Sequence, residues 1–327
     1  MFLPSLLLLA TAVIPATART LIEAIENIPE LSNFTSFYNA NKFFASAFFG
    51  NKTLYPITVF IPNNKAFAKF YNTTGSPLTS LGPLELLTII QYHTLVSGLD
   101  KNNLTNASSG SGLTVPTLLV SDLFNNRSAG SGLTSKFGGN ERSNGQVVFI
   151  SGSGGSGVAR RTVLSRQAGS STSSVRSGLS STVSITAVED SEGIWDGGRF
   201  HIIDGLLTPP TTCKATINGA KLTALDNALT RAGLWTALDS TKNITCLGPN
   251  NNAFTSAGSP DQNFTSADLS KALLFHTLPE VAYSDYLTDG QEFTSLQNMT
   301  VRVKVQGQGK DRQIWFNNAK VIDANVL

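Results

Sequence analysis

The chain has 327 residues, 41% of them apolar and only 14% charged, with a formal net charge of +2. That length holds two ordinary domains, each able to bury its own core. The near-neutral balance gives no reason to expect nucleic acid or an acidic partner. Asn, Ser, Thr and Gly take the place of the missing charges, as in many secreted proteins.

The first 18 residues read as a targeting segment. Phe2 to Pro15 is apolar, and Ala16-Thr17-Ala18 supplies a small-x-small cleavage pattern before Arg19. The run is too short to span a bilayer and is read as a signal peptide. No later segment is long and apolar enough to predict a transmembrane helix. Nine Asn-x-Ser/Thr sequons fit this compartment: Asn33, Asn51, Asn72, Asn103, Asn106, Asn126, Asn243, Asn263 and Asn298. After a signal peptide they are glycan acceptors on exposed loops.

Residues 20–31 predict a helix, with Thr20 and Glu23 as a capping box and Pro29 near its end. An amphipathic stretch follows over 34–49, with Phe37, Ala40, Phe44, Ala47 and Phe48 on its apolar side. A strand is expected over 57–61, where the residues are β-branched or aromatic. Pro62 stops it, and Asn63 or Asn64 can cap the helix that Ala66 and Phe67 begin. Leu84, Leu87 and Ile90 then mark a helical face that leads to Tyr92-His93-Thr94-Leu95. Strands are predicted over 115–120, 146–150, 183–188 and 200–207. Between them, 151–181 is rich in Ser, Gly and Arg and reads as a flexible insertion.

Much of this recurs. Residues 246–254 repeat the strand and Pro-Asn-Asn-x-Ala-Phe corner of 59–67, as Pro249, Asn250, Asn251 and Phe254. Phe275-His276-Thr277-Leu278 repeats the aromatic-His pattern. Pro62 to Pro249 spans 187 residues and His93 to His276 spans 183, so order and spacing agree. Two related domains follow. Residues 1–18 are the signal peptide, 19–208 the first domain, 209–211 a short stiff linker with two prolines, and 212–327 the second domain. Leu222, Leu225 and Leu229 open the second repeat as a helical stripe, with Gly233 as its C-terminal cap. Strands over 299–305 and 313–324 complete it. The sequence offers no second counterpart of the 200–207 segment, so the second domain is expected to be incomplete at its C-terminus. A glycolipid-anchor signal could follow in a longer form.

The repeated corner, the aromatic-His pair and Arg199-Phe200-His201-Ile202-Ile203-Asp204-Gly205-Leu206-Leu207 together resemble the fasciclin (FAS1) domain family. The resemblance covers 20–208 and 212–327. It implies an α+β fold of two tandem domains, each a β-sandwich or wedge of short strands packed with several helices. It also implies a non-enzymatic secreted or cell-surface glycoprotein that acts in cell adhesion or in matrix and wall organisation. The region around Tyr92 and His93, with Phe275 and His276 in the second copy, is the adhesion motif that the resemblance suggests. Phe275 lacks the hydroxyl of Tyr92. His201 and Asp204 belong to the closing fold motif. The Asn- and Thr-rich style resembles fungal secreted proteins.

Other chemistry is less marked. Cys213 and Cys246 in an oxidising compartment predict a disulfide, the alternative being two buried thiols. Glu189, Asp190, Glu192 and Asp196 beside Trp195 could serve a hydrolase, but a solvated loop explains them as well. Arg160-Arg161 could be a processing site or a loop charge pair. No cofactor or metal is expected. The partner would be another copy, a matrix protein or a cell-wall polysaccharide. The alternative is a soluble carbohydrate- or lipid-binding module of the secretory pathway, the vacuole included.

Overall fold

The computed structural model describes residues 19–120, 127–152, 173–189 and 191–327. Residues 1–18, read above as a signal peptide, and Asn126, Arg160-Arg161 and Asp190 lie outside the described residues. The first domain runs α1 (Leu21–Ile25), α2 (Ser32–Ala40), α3 (Lys42–Phe49), β1 (Ile57–Pro62), α4 (Asn64–Thr74), α5 (Pro83–Tyr92), β2 (Thr94–Leu95) and α6 (Lys101–Ser109). It continues with β3 (Leu113–Pro116), α7 (Ser131–Lys136), β4 (Val147–Gly152), β5 (Ser173–Arg176), β6 (Thr182–Thr186), β7 (Ile194–Trp195) and β8 (Gly198–Ile203). The second domain holds α8 (Cys213–Gly219), α9 (Thr223–Ala232), α10 (Trp235–Ser240), β9 (Thr245–Cys246), α11 (Asn251–Ser256), α12 (Pro260–Asn263) and α13 (Ser266–Phe275). Then come β10 (Thr277–Leu278), β11 (Glu292–Thr294), β12 (Thr300–Gln306), β13 (Gln313–Phe316) and β14 (Ala319–Lys320).

In the first domain the strand order is β2-β1-β8-β6-β5-β4-β3, with β7 on β8. The β1–β8 pair is parallel and the others are antiparallel. A bridge between Leu95 and Thr117 joins the two ends, so the sheet curls back on itself. Strand periodicity then divides the core in two. Ile57, Val59 and Ile61 of β1, with Phe200 and Ile202 of β8, pack under α1, α2, α3 and α5. Phe60 and Ile203 point the other way, among Tyr92, Leu104, Val148 and Val175. A strand buried on both faces is mostly apolar. The one polar side chain of β1, Thr58, is satisfied: its hydroxyl donates to the Ser97 carbonyl at 2.6 Å and accepts from Leu99 N–H at 2.7 Å.

Several expectations shift. The helix expected over 20–31 stops at Ile25, and Pro29–Leu31 forms a separate 3-10 turn. Ile28 is extended because a residue before proline avoids the helical region. The 34–49 stretch breaks at Asn41, whose amide donates to the Phe37 carbonyl at 3.0 Å. Leu86 and Ile90 of α5 face the first half of the core and Tyr92 the other half, while Leu84 is exposed. The closing strand ends at Ile203 rather than Leu207, and β3 ends at Pro116. Residues 313–324 form a hairpin rather than one strand, turning at Asn317 with φ 51°.

The insertion read over 151–181 is corrected at its end. Ser173–Arg176 is β5, a central strand paired with β4 and β6. Its composition is poor in apolar residues, yet Val175 is fully buried and the two neighbouring strands supply the ladder. The linker is also not free. Gly178 N–H donates to the Thr208 carbonyl, and a Cβ at Gly178 would meet Pro209 and Pro210 at 2.5 Å.

The two domains dock. The Asp285 carboxylate accepts from Thr114 N–H at 2.7 Å and from the Thr114 hydroxyl at 2.6 Å. Arg176 donates to Asp323 at 2.7 Å. Ala129, Leu133 and Val147 of the first domain pack against Tyr283, Tyr286 and Leu327. Burial and the nearby Asp285 charge push the Tyr283 hydroxyl up from its ordinary value. Among the described residues no helix is long and apolar enough to cross a membrane.

Candidate functional site

The repeated corner is built the same way twice. Asn63 Oδ1 accepts from Ala66 N–H at 3.0 Å, and Asn250 Oδ1 accepts from Ala253 N–H at 2.8 Å. The first asparagine is therefore the helix cap in each copy. The second asparagine ties the corner to the helices before it. Asn64 Oδ1 accepts from Asn33 N–H at 2.9 Å, and its amide donates to the Pro29 carbonyl at 3.1 Å. Asn251 Oδ1 accepts from Ala224 N–H at 3.0 Å, and its amide donates to the Lys221 carbonyl at 3.1 Å. Pro62 is the last residue of β1, and Pro249 stands just before α11. Phe67 is half-buried against the first core, and Phe254 is buried in the second.

Tyr92 and His93 do not reach the surface. Tyr92 is 0% exposed, and its hydroxyl donates to the Val147 carbonyl at 2.9 Å. Burial pushes that hydroxyl well above its ordinary value. His93 is 4% exposed. Its Nε2 accepts from Leu207 N–H at 3.0 Å, so Nδ1 carries the proton given to the Ile89 carbonyl at 2.7 Å. Burial depresses its pKa to about 4, against the partial support of the Ile89 carbonyl. Neither side chain lies at the surface, so an adhesion role for this pair, as the resemblance suggests, would act through the fold it holds rather than by direct contact. The pair ties α5, β4 and the chain after β8 together.

His201 is buried too. It accepts from Val188 N–H at 3.1 Å and meets the Leu99 carbonyl at 2.9 Å. Asp204 is exposed and accepts from Ser184 N–H at 2.7 Å, which closes β6 onto β8. Corner, aromatic-His pair and closing segment thus converge on β1. Phe60 N–H donates to the His93 carbonyl at 2.9 Å, and Phe60 stands opposite His201 in the sheet.

The second copy is looser. Leu247 N–H donates to the His276 carbonyl at 2.8 Å, as Phe60 does to His93. Phe275 and His276 are half-buried, edge to face at 5.9 Å between centroids. His276 Nδ1 meets the Ala272 carbonyl at 2.8 Å. Among the described residues no backbone N–H reaches its Nε2 as Leu207 reaches His93.

Cys213 and Cys246 are free thiols, not the expected disulfide. Arg127 donates to Cys213 Sγ at 2.6 Å from across the domain junction. Cys246 is half-buried as a residue, and burial of its thiol, then the neighbouring Cys213, pushes that thiol up to about 12. Trp195 is buried edge-on against Phe49 and Tyr55, and Glu189 pairs with Lys101. Among the described residues there is no metal-holding cluster of His, Cys, Asp or Glu. An apolar cavity lined by Phe34, Phe37 and Leu206 has a volume of about 20 Å³, room for about one water molecule.

Seven sequon asparagines are exposed: Asn33, Asn51, Asn72, Asn103, Asn106, Asn263 and Asn298. Asn243 is partly buried at the domain junction, where its amide donates to Ser128 at 3.0 Å and its oxygen accepts from Ser128 N–H at 2.8 Å. Sequence reasoning missed this junction. Asp285, Thr114 and Arg127 carry no motif, and only the docked domains bring them together.

The Fasciclin domain matches residues 29–151 and 220–327. The chain is similar to a fasciclin-like arabinogalactan protein of Arthroderma benhamiae, 30% identical over 133 residues, covering 40% of this chain and 30% of the relative. It is also similar to one of Cercospora beticola, 26% identical over 172 residues, covering 52% of this chain and 44% of the relative. The matches thus span less than half the length of either relative. A solved FAS1 domain pair from the insect cell adhesion molecule fasciclin I aligns over 89% of both chains, at 14% identity and a TM-score of 0.37. With two matched segments covering well over half of its residues, the chain belongs to the fasciclin domain family.

Proposed function

We propose that the protein is a non-enzymatic, secreted or cell-surface glycoprotein that acts in adhesion or in wall and matrix organisation. The observation that carries this reading is the solvent exposure of seven sequon asparagines on a chain with two fasciclin segments. Adhesion-related roles are those of the family, and the names of two fungal relatives point to polysaccharide-rich surroundings. The motif residues are consumed in holding the fold, so contact with a partner falls to outer surfaces. Two domains in one chain then add avidity to weak single contacts.

Bead aggregation tests the reading. Beads coated with the glycosylated chain are expected to cluster, by themselves or when fungal wall polysaccharide is added. Dispersed beads under both conditions would sink it.

A further inference from the structure

The sheet β11–β14 has two unlike faces. One carries Phe293, Val301, Val303 and Ile314 into the second core. The other is open. In the first domain the corresponding middle strands are covered, since β4 and β5 lie under α6 and none of their residues is exposed. Here the outward residues of β12 are exposed, among them Arg302, Lys304 and Gln306.

Register places these side chains in rows, because residues directly opposite in a ladder share a face. Lys304 stands opposite Trp315, and Trp315 stands opposite Lys320. The two ammonium groups lie 5.2 and 5.7 Å from the Trp315 ring centroid. Cation–π attraction restrains both side chains there. In the next rows Gln306 faces Gln313, and Arg302 faces Glu292 with Nε 2.9 Å from the carboxylate. The face therefore holds three cations against one carboxylate, on a chain whose net charge is only +2.

We infer that this sheet face binds an acidic polysaccharide, with carboxylates on Lys304 and Lys320 and sugar hydroxyls on Gln306 and Gln313. Charge complementarity selects an anionic polymer, and the amide row selects one that also carries hydroxyls. The ring matters because a free lysine loses much side-chain freedom on gripping an anion, whereas these two are already restrained. The inference deepens the wall or matrix reading and rests on it.

The test is affinity electrophoresis of the full glycosylated chain through polygalacturonic acid, with a neutral β-glucan as control. Retardation by the polyuronate alone is expected, and it should vanish at high salt as exposed charges are screened. The exposed pair changed together, Lys304→Gln and Lys320→Gln, should weaken binding about tenfold or more through loss of both cations. Trp315→Leu should weaken it about threefold by freeing the lysines. Thermal unfolding checks that each variant folds. No retardation of the unaltered chain, equal retardation by the neutral glucan, or full binding by the double variant would overturn the assignment. Bead clustering without polysaccharide is read in parallel. If clustering fails while polyuronate binding persists, only the adhesive reading falls.

Discussion

β1 and β9 hold the same place in the two repeats but have different neighbours. β1 lies between β2 and β8, and every residue of it is buried. Among the described residues β9 pairs only with β10, and both its residues are half-buried. The corner after each strand is nonetheless the same, down to the roles of the two asparagines. Local capping chemistry is thus indifferent to the sheet beside it. The burial of the strand is not, because only a second neighbour removes its other edge from water.

The largest expected effect breaks this comparison at the strand itself. Phe60 is fully buried, so Phe60→Ala should cost about 3–5 kcal/mol. Leu247 occupies the matching place half-buried, and Leu247→Ala should cost about 1–2 kcal/mol. Urea unfolding with residue-resolved hydrogen exchange separates the two domains. Equal losses would mean that the β9 edge is as well covered as β1.

The second test is pH. His93 has a folded pKa of about 4, below its ordinary 6.5. A depressed base contributes stability that is fully present above the unfolded pKa and is lost as pH falls toward the folded one. Unfolding free energy of the first domain should therefore decline between pH 6.5 and 4, by a total on the order of 3 kcal/mol. His93→Gln should flatten that window. A window that survives the substitution would assign the loss to other groups.

The smallest effect sharpens the likeness. Asn63→Ala and Asn250→Ala each remove one cap and should each cost about 1 kcal/mol. Circular dichroism melts of the two variants should match within a few degrees. A much larger loss at Asn63 would mean that the first corner also depends on β1 and its neighbours.

Much of the corner was legible in the sequence. Pro62 announces a strand end and Asn63 or Asn64 a helix cap by chemistry that needs no distant residue, and the structure gives the cap to Asn63. The tie made by Asn64 was not legible, because its partners at Asn33 and Pro29 lie some 30 residues away. β5 was hidden for a related reason. Its serines carry no strand signal, and its order comes from β4 and β6. The burial of Tyr92 and His93 likewise depends on Val147 and Leu207, both far along the chain.

By itself the sequence determined the two-domain repeat, the strand-to-helix corners and the positions of the sequons. These depend on neighbours within a few residues, or on plain self-similarity. Only the tertiary structure decided that the domains dock through Asp285 and Thr114 and that Asn243 is drawn into the junction. It alone showed that Cys213 meets Arg127 and that Lys304, Trp315 and Lys320 stand side by side. Each of these depends on pairing register or domain contact, which brings together groups that no local pattern relates.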